Sequence, residues 1–515
     1  MGLIFLFALF VRFYSFKNNI YFGFDEARDA LVSQSIYTER DFKLIGPPAS
    51  GDTGMFHGPA YWYLIGPVYL LFHGNLYLVS ILFRLINALG IFLVFAISKK
   101  LFSERVGYLA AFLYAISFEQ SQYSLYVGKE SLALILWLLI MFVVASIYKN
   151  DKWVTKKGLP IIAICFGLMV QFNIIYAGFG IGLLALGILL CKEISLIPVK
   201  TWLTSGAWFI FVILTYILAE LKYNFREIRS AYNLIHSGFG IMSPDESKYT
   251  LYWHKYLIMF RDNLIGLSMD IGWQRLLITA VTLSITIWLI IAAKKDKKFS
   301  ILLVWMMSWV GIMLAGGHMA YYTNVGNSVS ILIVFAVILE KYFRKYFWLA
   351  LILSGIFVSN ASMIYARRDK GLIPAIKPQP YMNLIDERKI VDGMYTTANG
   401  RGFTLRLTGI PYKIQTVWYY LLNEYGYKKY GYYPYWEHGN IAGFPGKLPT
   451  PINGTTCLRF LVREPMTGLP LELVSLDEKE ENYYSTIKNW YAVGLFTVQE
   501  REAIGMKNCH NTVAK

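Results

Sequence analysis

Apolar residues in this chain come in runs too long for a soluble fold. One of them, Leu132–Tyr148, is interrupted by a single serine. A run of about 18 or more mainly apolar residues reads as a membrane-spanning helix. Eleven spans are expected, over 1–16, 75–98, 106–118, 131–148, 158–173, 174–191, 200–219, 272–293, 299–316, 325–340 and 346–364. The apolar stretch 60–72 is too short to cross and reads as a helix in or near the interface. The start of the chain lacks a basic n-region and a small-residue cleavage site, so the first helix is expected to stay uncleaved. Charged residues make up 16% of the chain, against about 25% in soluble domains. The fold class is a polytopic α-helical membrane protein.

Charge orients it. With the N-terminus inside, five short loops fall in the cytoplasm: 99–105, 149–157, 192–200, 294–298 and 340–345. They carry 16 Lys/Arg and 5 Asp/Glu. Loops 15–60 and 220–270, on the other side, carry 10 basic and 12 acidic residues. This is the positive-inside pattern of a multi-pass plasma-membrane protein with a cytoplasmic N-terminus. Orientation accounts for most of the net charge of +16, and no basic-aromatic module for nucleic acid is present.

Two parts are expected: a transmembrane domain, 1–366, with outer loops 17–74 and 220–271, and a soluble extracytoplasmic domain, 367–515. After Arg367 the long apolar runs stop and tyrosines, glycines and prolines cluster. Phe403–Thr408 and Cys457–Val462 alternate like strands, and Gln415–Tyr427 reads as helix, so the second part is α+β. Cys457 and Cys509 both lie there, where a disulfide is chemically allowed. No CxxC or HExxH zinc spacing occurs.

The chemistry is sought in the outer loops. Asp25-Glu26 follows the first helix and opens a loop of about 40 residues. Ionisable groups at a membrane exit are functional candidates by default. Arg28, His57, Tyr126, Lys129 and Glu130 fall on the same side. In a compact bundle the corner at 25–28 and the corner at 126–130 meet. A carboxylate there can take a proton from a hydroxyl, and Lys, Arg and His can hold a phosphate. Structural roles stand beside these. Glu130 complements a helix dipole, Lys129 snorkels, Arg28 pairs with Asp25 or Asp29, and His57 belongs to a turn. The long loop 220–270 carries Arg226, Arg229, His236, His254 and Arg261 among aromatics, and His318 sits in a third outer loop.

Four segments carry a family resemblance. They are Phe24-Asp25-Glu26-Ala-Arg28, His57-Gly-Pro59-Ala-Tyr-Trp-Tyr63, Arg84 with Lys99–Ala111, and Tyr123-Ser-Leu-Tyr126-Val-Gly-Lys129-Glu130. In their order and spacing the chain resembles the polyprenyl-phosphate-sugar-dependent glycosyltransferases of the GT-C superfamily. Its pattern is that of the protein mannosyltransferase and aminoarabinose transferase group. The likeness covers about the first 150 residues well and the helix count loosely. Gly58 replaces the first proline of the family's His-Pro-Pro segment, and Lys129-Glu130 stands where many relatives have Arg-Asp or Thr-Asp.

The resemblance implies inverting transfer of one sugar from a polyprenyl monophosphate to an acceptor hydroxyl on the outer face. The acceptor is a protein, a glycan or a lipid of the cell envelope. Asp25 is the implied base, Glu26 its partner and Glu130 a second acid. Arg28, His57, Lys129, Tyr126 and His318 are the implied substrate contacts. No cofactor and no obligatory metal are implied. Two other classes stay open: a lipid-linked-sugar flippase or transporter, and a GT-C-like subunit without catalysis.

Overall fold

A computed structural model gives the fold. It describes residues 1–49, 54–237, 248–314, 325–343, 345–373, 376, 377, 379, 381–412, 414–436, 456–465, 470–504, 509 and 511–513. His318 lies outside the described residues.

Helices α1 (Gly2–Phe13), α2 (Phe24–Thr38), α3 (Ala60–Leu71), α4 (Leu76–Leu101), α5 (Glu104–Ile116), α6 (Phe118–Leu125), α7 (Lys129–Tyr148) and α8 (Val154–Phe172) follow in order. Among the described residues, five helices are long and apolar enough to cross a membrane: α4, α7, α8, Gly272–Ala293 and Tyr346–Ala366. A sixth span results if Val199–Val212 and Leu214–Lys222, bent by 55° at their junction, count as one. Besides this bent pair, which was read as one span over 200–219, two more of the stretches read as single spans are broken. The first, 174–191, is a 3-10 turn, Ile174–Gly178, followed by Phe179–Leu189. The second, 299–316, divides into Lys297–Met306 and Trp309–Leu314. The breaks meet where the two backbones touch. A Cβ on Gly311 would stand 2.0 Å from the Gly178 carbonyl oxygen, and one on Gly178 would stand 2.7 Å from Ile312 Cα. Only glycine permits this approach.

Buried arginines fix the end of α1. Arg12 donates to Asn87 Oδ1 and to the carbonyls of Ala115 and Tyr114, each at 2.8 Å. Arg84 donates to the carbonyls of Arg12 and Asn19, at 2.5 and 2.6 Å. With Ser80 Oγ accepting from Arg84 Nε at 3.3 Å, every side-chain nitrogen of the two arginines has a partner inside the bundle.

Beyond Ala366 the chain runs back over the bundle before it enters a five-stranded sheet. The Gly371 amide donates to Asn19 Oδ1 (3.0 Å) and that of Ile373 to Gln122 Oε1 (3.1 Å). Phe22 donates to the Met382 carbonyl and Leu384 to that of Ile20, both at 2.9 Å. The strands are β1 (Phe403–Thr408), β2 (Tyr435–Trp436), β3 (Leu458–Arg463), β4 (Ser485–Val493) and β5 (Phe496–Ala503), in the order β2-β1-β3-β5-β4. β1 is parallel to β2 and β3, and the β3-β5-β4 side is antiparallel. β1 is buried along its whole length, as a central parallel strand should be. Two of its polar members, Arg406 and Thr408, bond to the helix Leu471–Asn482. Arg406 pairs with Asp477 at 3.3 Å, and Arg459 of β3 pairs with Glu481 at 2.7 Å. Cys457 and Cys509 are disulfide-bonded. Gln415–Tyr427 is largely helical, as a turn of α-helix (Thr416–Leu421) that widens into a π-helix (Leu422–Tyr427).

Candidate active site

Asp25 and Glu26 do not open an irregular loop, as the sequence suggested. They occupy the first turn of α2. The Gly23 amide donates to Glu26 Oε2 at 3.1 Å, which satisfies one of the free N–H groups at the helix start. Two carboxylates in a first turn also complement the helix dipole. This segment, Phe24–Thr38, has helix formers but a weak apolar stripe, so hydropathy alone does not mark it. The dipole favours both acids but does not require their different environments. Glu26 is buried, whereas the Asp25 side chain is 45% exposed.

Asp25 opens into a polar cavity of about 420 Å3. Six of the residues singled out in the sequence line it: Asp25, Arg28, His57, Tyr126, Lys129 and Glu130. The two corners, one at the start of α2 and one at the start of α7, therefore meet. Glu26 stands behind Asp25 and is not among the lining residues. Glu119 is buried elsewhere, where it accepts from Asn263. Arg226 and Arg261 also point to other partners: Arg226 lies over the Phe56 ring at 5.1 Å, and Arg261 pairs with Asp262 at 2.5 Å.

The sequence did not reveal Lys377, which projects into this cavity from the segment beyond the last long helix. Its ammonium lies 2.6 Å from Asp25 Oδ2 and 3.3 Å from Glu26 Oε1. It also sits 4.7 Å from the centre of the Tyr126 ring. Asp29, which the sequence offered only as a structural partner of Arg28, also lines the cavity. Its Oδ1 accepts from Arg28 Nε (2.9 Å), from Arg28 Nη2 (2.8 Å) and from the Trp62 indole (2.8 Å). That leaves Arg28 Nη1 to reach Asp25 Oδ1 at 2.8 Å. Arg28 is thus a fixed structural cation as well as a cavity wall.

The charges set the protonation states. Partial desolvation inside the cavity pushes the Asp25 carboxyl up, but Lys377 and then Arg28 overcome it and hold the group well below the ordinary carboxylate range. Burial raises Glu26, with the Asp25 charge adding to it and Lys377 opposing, to about 7. His57 is driven well below its ordinary value by burial, then by Lys129 and Arg28, and is neutral at physiological pH. Its Nδ1 accepts the Ile174 amide at 3.3 Å, which leaves the proton on Nε2. Two groups on the wall have unmet polar demand. Glu130 is buried with Oε2 unpartnered. Lys129 makes no ion pair or hydrogen bond among the described residues.

The whole chain superposes on ArnT from Cupriavidus metallidurans bound to undecaprenyl phosphate, with a TM-score of 0.61 at 10% identity. The match covers 97% of this chain and 98% of that one. The chain has the GT-C fold. A second GT-C structure agrees at the level of the fold. It is the oligosaccharyltransferase AglB from Archaeoglobus fulgidus in complex with an inhibitory peptide and a dolichol-phosphate. Its TM-score is 0.51 at 12% identity, over 98% of this chain and 74% of that one. Residues 56–218 match the profile of the dolichyl-phosphate-mannose-protein mannosyltransferase family. That stretch of the GT-C chain holds His57, Tyr126, Lys129 and Glu130 but not Asp25 or Lys377. No curated protein sequence matches the chain significantly.

Proposed function

We propose that the protein is a membrane glycosyltransferase that moves one sugar from a polyprenyl monophosphate to an acceptor hydroxyl, with inversion. The observation that carries this reading is the shared cavity. A half-exposed carboxylate, an unpartnered lysine and a neutral histidine face one polar space of about 420 Å3. That is within the range of small-ligand sites, and it stands at one end of a bundle of apolar helices. Both GT-C neighbours are solved with a polyprenyl phosphate, which supports the donor class.

In this mechanism the acceptor oxygen attacks the anomeric carbon. The new C–O bond forms as the bond from that carbon to the phosphate oxygen breaks. The electron pair leaves with the phosphate, and the acceptor proton passes to Asp25. Asp25 is a weak base because two cations hold it, but for the same reason it is ionised before the step. The hydroxyl becomes more acidic as its oxygen bonds to carbon, so a weak base suffices late in the step. Lys129 and the Nε2–H of His57 bind the phosphate. Glu130 accepts from a sugar or acceptor hydroxyl. Glu26 orients Asp25 by capping its helix and sharing Lys377. His318 keeps its assignment as a substrate contact from the resemblance alone.

The loop charges support an N-terminus in the cytoplasm of a plasma-membrane protein. The cavity and the domain at 367–515 then lie outside, where the acceptor is a protein, a glycan or a lipid. In the test, Asp25→Asn should abolish release of polyprenyl phosphate while the protein stays folded and inserted. Normal turnover in that variant removes Asp25 from the mechanism.

A further inference from the structure

Lys377 is paired more closely than a simple phosphate-binding residue needs to be, yet it lines the same cavity as the unpartnered Lys129. We infer that Lys377 is a shared counter-ion: it neutralises Asp25 before transfer and passes to the phosphate as transfer proceeds. This role rests on the donor class proposed above.

Charge conservation carries the inference. During the step the acceptor proton neutralises Asp25, and the phosphate gains one negative charge when the sugar leaves. The demand for a counter-ion therefore moves from Asp25 to the phosphate within one cavity. Of the two cations on Asp25, Lys377 is held the less rigidly, its other contacts being Glu26 at 3.3 Å and the Tyr126 ring. Arg28 is anchored by two hydrogen bonds to Asp29 Oδ1, at 2.9 and 2.8 Å. Lys377 is a point charge on a flexible stem. It sits 2.6 Å from the carboxylate that loses its charge and 3.3 Å from Glu26, which lies behind. Its own side chain is 9% exposed, while that of Asp25, on the cavity side, is 45% exposed. Lys377 is thus a positioning residue for Asp25 at the start of the step and a phosphate ligand at its end.

The test is a binding cycle on the full-length protein in detergent, with undecaprenyl phosphate and dolichyl phosphate as probes. Asp25→Asn releases Lys377 from its partner and should tighten binding of the lipid phosphate about tenfold, the scale of one charge-assisted hydrogen bond. Adding Lys377→Gln should cancel that gain, and adding Lys377→Arg should retain much of it. A gain that survives in Asp25→Asn/Lys377→Gln would show that only repulsion by Asp25 was removed, and would overturn the inference. So would unchanged or weaker binding in Asp25→Asn, provided thermal unfolding shows the variant folded. Failure of wild type to bind either lipid would instead refute the donor class, an outcome read in a separate arm.

Discussion

Lys129→Met separates a binding site from a packing feature. Lys129 lines the polar cavity, and no described group pairs with it. A half-buried cation without a partner costs stability in the protein that carries it. Methionine keeps most of the stem's volume and removes the charge. The variant should therefore unfold at the same temperature as wild type or higher, with stability unchanged to within about 1 kcal/mol. Ligand binding should move the other way. A hydrogen bond to a charged group contributes about 1.5–3 kcal/mol, so the affinity for undecaprenyl phosphate should fall roughly 10- to 150-fold. The assays are thermal unfolding and lipid-phosphate titration of the purified protein in one detergent. If Lys129 only snorkels, lipid binding is unchanged. A variant that loses stability yet binds as wild type does would refute the reasoning.

Gly58→Ala should destabilise by about 1–3 kcal/mol and disturb His57, because the added Cβ would stand 1.8 Å from Gln171 Oε1. Gln171 cannot move aside easily: its amide donates to Thr215 Oγ1 at 2.8 Å and to the Val212 carbonyl at 3.1 Å. Thermal unfolding beside turnover checks both effects. Glu130→Gln should lower turnover by about tenfold, whereas Asp25→Asn abolishes it, if Glu130 orients a hydroxyl rather than taking its proton. Equal losses would contradict that division. Because Lys377 and Arg28 hold Asp25 low, the base stays ionised as pH falls through the ordinary carboxylate range. Lys377→Gln should therefore shift the acid limb of the rate profile to higher pH, and an unmoved limb would count against the pairing. In a Cys191→Ser background, an impermeant thiol reagent on intact cells should label a cysteine at Lys488 and not one at Lys152. The reverse pattern would invert the proposed orientation.

Hydropathy located the helices where charge marks their ends. Gly272–Ala293 was legible to the residue, since Asp270 and Lys294 bracket it. The broken stretches were not legible. The touching of Gly178 and Gly311 is a contact between two segments, and a one-dimensional hydropathy profile holds no trace of it. The polar corners were found because acids and bases at a membrane exit are rare. The helix that carries Asp25 was missed because its apolar stripe is weak. Lys377 stood in a proline-rich stretch with nothing local to distinguish it. Only the return of the chain across the bundle brings it to Asp25, 352 positions away.

Turnover of a panel of radiolabelled polyprenyl-phosphate sugars by the purified protein, with cell-envelope extract as acceptor, tests the central claim most directly. The account predicts that wild type releases free polyprenyl phosphate from at least one donor and that Asp25→Asn releases none. Release from no donor would contradict it, and would shift weight to a transporter, a subunit without catalysis or a diphosphate-linked donor.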